Sequence, residues 1–201
     1  HLGVRRQRQM CIRDRVDEEQ NALIMNGNTV KFINAEDPSD VDYSKYGIKD
    51  ALLIDNTGIV SDEKGLSAHL KNKEIKKVLL TAPVKGGLKN IVYGVNHDDI
   101  QDTDKIIGAA SCTTNAIVPV LSAIDNEFKI DNGHVETVHA YTNDQNLIDN
   151  YHSKNRRGRA AALNMVLTET GAASAVSQVL PNLEGKICLL YTSDAADERL
   201  S

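Results

Sequence analysis

A cysteine set among hydroxyl side chains, Ser111-Cys112-Thr113-Thr114-Asn115, is the stretch whose residue types best suit covalent chemistry. It follows the apolar-then-small run Ile106-Ile107-Gly108-Ala109-Ala110 and precedes a helix-patterned segment, Ala116 to Asn126. The thiol therefore stands where a buried strand passes to a helix N-terminus. Unpaired backbone N–H groups and the positive end of the helix dipole stabilise a thiolate there and lower its pKa. A thiolate so placed is a nucleophile; the other reading of the same residues is a small, buried and inert thiol. Two further stretches carry a choice of readings. Thr168-Glu169-Thr170-Gly171 leads into a helix with Ala172, Ala175, Val176 and Val179, where backbone N–H groups and the Thr170 hydroxyl make either a phosphate seat or a plain helix cap. Lys154, Arg156, Arg157 and Arg159, beside Gly158, make either a solvated charge run or a subunit contact or anion site.

The elements that must position these groups follow from pattern. Val16 to Val30 reads as a hairpin turning at Asn26-Gly27-Asn28, with its second strand continuing to Ile33. Ala51-Leu52-Leu53-Ile54-Asp55 reads as a fully buried strand, and Asp62 to Leu70 has helical spacing. Lys77-Val78-Leu79-Leu80, Ile91 to Val95 and Ile106-Ile107 are further short apolar runs, several ending in small or hydroxyl residues, as the strand C-termini of an α/β sheet do. No G-x-G-x-x-G is present, so the pattern fits only the second half of a dinucleotide fold. The helix from Ala116 places Ile117, Val120, Leu121 and Ile124 on one face, with Pro119 in its first turn. Val135 to Tyr141 alternates as a strand, with Val135, Thr137 and His139 on one face, and Thr142 to Arg159 is a long polar loop.

Composition bounds the class. The 201 residues are 41% hydrophobic and 25% charged, enough to bury one substantial core or two small ones. No run reaches the roughly 18 apolar residues of a membrane span, and no secretory signal pattern is seen; the chain reads as cytoplasmic. A net charge of -5 argues against general nucleic-acid binding. Residues 1–15 and 188–201 lack the periodicity of the middle and resemble translated sequencing-adapter read-through, so both are set aside from the fold. Of three cysteines, Cys11 and Cys188 lie in those ends, which leaves Cys112 without a disulfide or cysteine-metal partner.

With Val138-His139-Ala140-Tyr141-Thr142-Asn143-Asp144-Gln145 added to the cysteine motif, residues 16–187 resemble the phosphorylating glyceraldehyde-3-phosphate dehydrogenase family. Tyr46-Gly47, Asn56-Thr57-Gly58, Ala82-Pro83, Gly94-Val95-Asn96-His97, Thr168 to Gly171 and Leu180 to Lys186 carry the same likeness. Asp149-Asn150-Tyr151-His152 and Arg156-Arg157-Gly158-Arg159 resemble a longer bacterial form. The resemblance implies residues 16–111 as part of a Rossmann-like NAD-binding domain and 112–187 as the start of an α+β catalytic domain. It implies Cys112 as nucleophile and His139 as base and hydrogen-bond donor; without it, a histidine on the Thr137 face reads as an ordinary core residue. It places Ser111, Thr113, Thr170 and Gly171 around the attacking phosphate and Thr142 and Asp144 at the substrate phosphate. Thr57, Gly58 and Thr81 would border the cofactor, NAD with NADP left open, and Asn143 would run toward the nicotinamide. The implied partners are glyceraldehyde 3-phosphate, inorganic phosphate and further copies in a homotetramer, which the loop 142–159 would face; no metal, membrane or nucleic acid is implied.

Two residues depart from the family pattern: Asn56 stands where serine is often found, and Ala116 where a second cysteine is often found. Neither touches the chemistry. The glycine-rich turn, the acidic residue that selects the cofactor and the distal phosphate arginine have no counterpart in the sequence, so the chain alone is expected to be inactive. An erythrose-4-phosphate or non-phosphorylating aldehyde dehydrogenase, or a catalytically silent homologue acting in binding or assembly, are the alternatives.

Overall fold

Asn26-Gly27 sets the first structural unit. The computed structural model describes residues 15–190 apart from 143, 155 and 168–170; Asn143 and Thr170, both implicated above, lie outside the described residues, as do 1–14 and 191–201. The chain divides into two units between Lys49 and Asp50. In the first, β1 (Arg15–Asp17), β2 (Ala22–Met25) and β3 (Asn28–Lys31) form an antiparallel meander. Met25 pairs with Asn28, so the turn is the two residues Asn26 and Gly27, at φ 51° and 82°. Both angles are left-handed, as a type I′ hairpin turn requires and as Asn-Gly supplies at least cost. The second strand ends at Lys31 rather than Ile33.

The second unit is built on a parallel sheet in the order β4-β5-β7-β6. Its strands are β4 (Ala51–Asp55), β5 (Ile75–Leu80), β6 (Lys89–Asn90) and β7 (Ile106–Gly108). β7 is buried throughout, and β5 buries Ile75, Val78 and Leu80. β4 differs from the fully buried strand its apolar run implies: Leu52 and Ile54 are 53% and 58% exposed, because β4 is an edge with one face uncovered among the described residues. Ile91 to Val95 is not a strand. The Asn96 side chain takes the Val92 N–H at 2.7 Å and donates to the Asn90 carbonyl at 3.0 Å, folding the segment into a turn. The helical spacing after Asp62 resolves into a single turn, α1 (Glu63–Leu66), capped by the Asp62 carboxylate on the Gly65 N–H, and a 3-10 turn at His69–Lys71.

After β7 comes the long helix α2 (Cys112–Phe128). It begins four residues before the pattern-derived start, so Pro119 lies in its interior rather than its first turn. Thr114, Val118, Leu121 and Asp125 form its buried stripe, while Val120 and Ile124 are exposed. Val118 and Leu121 pack with Val92, Ala110, Leu183 and the Val176 and Val179 side chains of α3 (Ala172–Val179) in one core cluster. β8 (Gly133–Glu136) pairs in parallel with β9 (Ile187–Leu190), which continues through Cys188. The architecture is thus a Rossmann-like parallel sheet followed by the opening of an α+β domain. Among the described residues no helix is long and apolar enough to cross a membrane.

One buried carboxylate fixes the far end of α2. Asp125 is 6% exposed and accepts from the Ile130 N–H at 2.8 Å and from the Asn182 amide, tying the helix terminus to the turn after α3. Asp125→Ala would strand both donors and is expected to destabilise the full-length protein by about 2–3 kcal/mol, to be read from its chemical denaturation midpoint at unchanged slope.

Candidate active site

Ser111 decides where Cys112 stands. Its hydroxyl accepts from the Thr114 N–H at 3.0 Å and meets the Thr114 hydroxyl at 2.7 Å, an N-cap that starts the helix at Cys112. The Asn115 side chain reaches back to the carbonyls of Ala109 at 2.7 Å and Ser111 at 2.9 Å, and Ala110 between them is left-handed at φ 57°. The cysteine sulfur therefore emerges from the first turn, exposed, beside the N–H groups of the helix start.

His139 arrives from the segment that follows β8, a strand that ends at Glu136 instead of running on to Tyr141 as the alternation implies. Its Nε2 is 3.3 Å from Cys112 Sγ, and its Nδ1 donates to the Ala140 carbonyl. That second bond fixes the tautomer and leaves Nε2 to face the sulfur. The hydrogen bond with His139 is the largest influence lowering the Cys112 thiol from its ordinary value; partial burial opposes it, and the Thr113 hydroxyl and N–H and the imidazole charge add to it. His139 is raised, first by its bond to the Ala140 carbonyl and then by Cys112. The lowered thiol and the raised imidazole both shift the pair in the direction of thiolate and imidazolium.

A cavity of about 540 Å³ opens over this pair. Cys112, Thr113, His139, Thr142 and Asp144 all line it, so five of the sequence-derived residues converge on one space. Ser111 lies beneath as the helix cap. Gly171 stands at the start of α3, where no side chain among the described residues caps the helix, and is not among the lining residues. Thr57, Gly58 and Thr81 are also elsewhere, exposed at the C-terminal ends of the neighbouring strands β4 and β5. Parallel α/β sheets bind ligands at such ends.

Arg157 is a lining residue that the pattern left undecided within its basic run. Its guanidinium pairs with the Asp144 carboxylate, so the loop's charge turns inward and offsets the anion in the cavity wall. The loop that carries it closes on itself: Asn146 N–H meets the Arg157 carbonyl at 3.1 Å, and Asn150 N–H the Gly158 carbonyl at 2.9 Å. A Cβ at Gly158 would stand 2.2 Å from the Asn150 carbonyl oxygen, so this crossing admits only glycine. The signal in the sequence was the glycine set among arginines.

Comparison with known proteins agrees with this geometry. Residues 111–190 match the family model described as glyceraldehyde 3-phosphate dehydrogenase, C-terminal domain. The chain belongs to the glyceraldehyde 3-phosphate dehydrogenase family. It is 62% identical over 172 residues to a glyceraldehyde-3-phosphate dehydrogenase-like protein of Pseudomonas aeruginosa, a match covering 86% of this chain and 37% of that protein. It is 42% identical over 177 residues to the glyceraldehyde-3-phosphate dehydrogenase of Borreliella burgdorferi, covering 86% of this chain and 52% of that one. To the chloroplastic glyceraldehyde-3-phosphate dehydrogenase A of Zea mays it is 45% identical over 167 residues, covering 83% and 41%. The chain thus spans about half or less of the length of these glyceraldehyde 3-phosphate dehydrogenase relatives.

The electrostatics of the pair set a pH dependence. In the full-length protein, Cys112 alkylation followed by peptide mass spectrometry should titrate below the free-thiol value of about 8.5. His139→Asn removes the largest lowering influence and should move that midpoint up toward the free-thiol value.

Proposed function

We propose that the full-length protein oxidises glyceraldehyde 3-phosphate with NAD and phosphorylates it to 1,3-bisphosphoglycerate. The observation that carries this reading is the Cys112–His139 contact of 3.3 Å at the mouth of a cavity that Thr113, Thr142 and Asp144 also line. Cys112 gives its proton to His139 and adds as thiolate to the aldehyde carbon; the C=O π pair moves to oxygen, which takes that proton from His139 Nε2 to complete the thiohemiacetal and leave the imidazole neutral. His139 then removes that hydroxyl proton as hydride leaves the same carbon, and a thioester to Cys112 results. Inorganic phosphate attacks the thioester, the C–S bond breaks, and Cys112 returns to thiolate as the acyl phosphate departs. Ser111, Thr113, Thr170 and Gly171 would hold the attacking phosphate, and Thr142 that of the substrate, with Asp144 beside it and its charge countered by Arg157.

Bound NAD would supply the hydride acceptor. Thr57, Gly58 and Thr81 fit its edge: two exposed threonines and an open, left-handed glycine stand at the ends of adjacent parallel strands. Asn143 would approach the nicotinamide. The domain division this reading assigns is a cofactor-binding part through residue 111 and a catalytic part from 112. The exposed Leu147, Ile148 and Tyr151 of the loop 142–159 support its burial against another subunit of a homotetramer. A cytoplasmic setting suits the reduced Cys112 thiol.

The test is NAD reduction by the full-length protein with and without inorganic phosphate. Phosphate-dependent turnover is expected, lost on Cys112→Ala and reduced about 10²–10⁴-fold by His139→Asn. Phosphate-independent turnover would assign a non-phosphorylating aldehyde dehydrogenase instead, faster turnover of erythrose 4-phosphate would reassign the substrate, and no turnover with a slow Cys112 would leave a silent homologue. The 201-residue chain by itself is expected to reduce no NAD.

A further inference from the structure

Asp55, the last residue of β4, is 3% exposed and joins two turns. Its Oδ1 accepts from the Thr57 N–H and the Thr57 hydroxyl, both at 2.8 Å. Its main-chain carbonyl accepts from the Thr81 N–H at 2.9 Å and the Thr81 hydroxyl at 3.3 Å. One residue therefore fixes the turn after β4 and the turn after β5 together. The Thr57 hydroxyl passes the constraint on, accepting from the Ile59 N–H at 3.3 Å around Gly58 at φ 72°.

The remaining oxygen, Oδ2, faces His69 Nε2 at 3.1 Å. The two side chains are 2% and 10% exposed, so the contact is shielded from water. His69 comes from the 3-10 turn after α1, and no step of the Cys112 chemistry uses it. Its Nδ1 is buried with no hydrogen-bond partner among the described residues, so the ring is held by what Nε2 does. Nε2 donates to the carboxylate, and Nδ1 is left as an acceptor. Burial, the largest influence on Asp55, pushes its carboxyl up, yet the bonds from Thr57 and then His69 bring it below the ordinary carboxylate range. Without the imidazole, a buried oxygen would lose its partner and the carboxylate would be free to swing off Thr57.

We propose that His69 is a positioning residue for dinucleotide binding, acting through Asp55 to hold the Thr57-Gly58 and Thr81 turns in the conformation that receives the cofactor. This rests on the reading above in which those three residues border NAD. His69 is not among the residues that line the Cys112 cavity and bonds to Asp55 instead, so its loss should act on cofactor affinity and leave the Cys112–His139 pair as it is.

The experiment compares His69→Asn and His69→Gln in the full-length protein. Glutamine can bring an amide N–H to where imidazole Nε2 stands; asparagine, one bond shorter, presents its amide nearer the position of Nδ1 and loses Asp55. Titration calorimetry with NAD alone should show about ten-fold weaker binding for H69N, the loss of one charge-assisted hydrogen bond, and recovery to within about three-fold of the parent for H69Q. KM for NAD should rise with binding in H69N while kcat and the alkylation rate of Cys112 stay within about two-fold, since binding alone is removed. A folded H69N that binds NAD like the parent, an H69Q as weak as H69N, or an alkylation rate that falls with NAD affinity would each overturn the proposal. Should H69N not fold, the imidazole N–H resonance of His69 in the parent decides: movement on adding NAD upholds the proposal and no movement overturns it. A parent that binds no NAD at all would bring down the functional reading first, and this inference with it.

Discussion

The hydroxyl of Ser111 on the Thr114 N–H is the bond on which the site depends. It converts the residues after β7 from loop to helix at Cys112, and with that choice the sulfur acquires the first-turn donors and the positive end of a helix that runs to Phe128. Had the helix started at Ala116, the thiol would sit in a connecting loop with neither. Asn115 locks the same corner from the other side by holding the Ala109 and Ser111 carbonyls, and the backbone accepts a left-handed alanine at 110 to make the bend. Strain of this kind, about 1 kcal/mol for a single residue, persists where surrounding bonds over-determine the conformation.

Under the proposed reading, two places in the unit carry two tasks. Around Cys112 the side chains come from elements distant in sequence: a helix start, an extended segment after β8, and a loop whose arginine folds back onto Asp144. At the tips of β4 and β5 a single buried carboxylate serves both strands, through its side chain for one and its main chain for the other. Chemistry at the first place asks for a thiol and an imidazole able to exchange a proton. Recognition at the second asks only for a fixed shape, and a hydrogen-bond hub shielded from water supplies it.

Much of this was legible in the residues. The Asn-Gly turn, the short apolar strands and the cysteine at a strand-to-helix handover follow from local chemistry, and the structure contains each of them. The misread parts were those set by longer-range contacts. Proline at 119 drew the helix start toward itself, whereas a serine cap eight residues earlier governs it; the helix tolerates the proline inside. β4 reads as buried because an apolar run does not say whether a neighbour covers it. Ile91 to Val95 has strand composition, but one asparagine side chain folds it into a turn. For the candidate site, a cysteine at a helix start was visible from its neighbours, whereas His139 beside it needed the family likeness, and Arg157 could not be told from its fellow arginines without knowing that the loop closes on itself.

That closure has a consequence for how the protein can vary. Where the chain crosses its own backbone at Gly158, 2.2 Å separates a hypothetical methyl carbon from the Asn150 oxygen, so no side chain can be accommodated without reopening the crossing. Reopening it would also release the neighbouring arginine from the cavity wall. In mutational terms, the glycine and the arginine are coupled: a side chain at 158, barred by the Asn150 carbonyl, would also disturb the charge balance of a cavity that the glycine does not line.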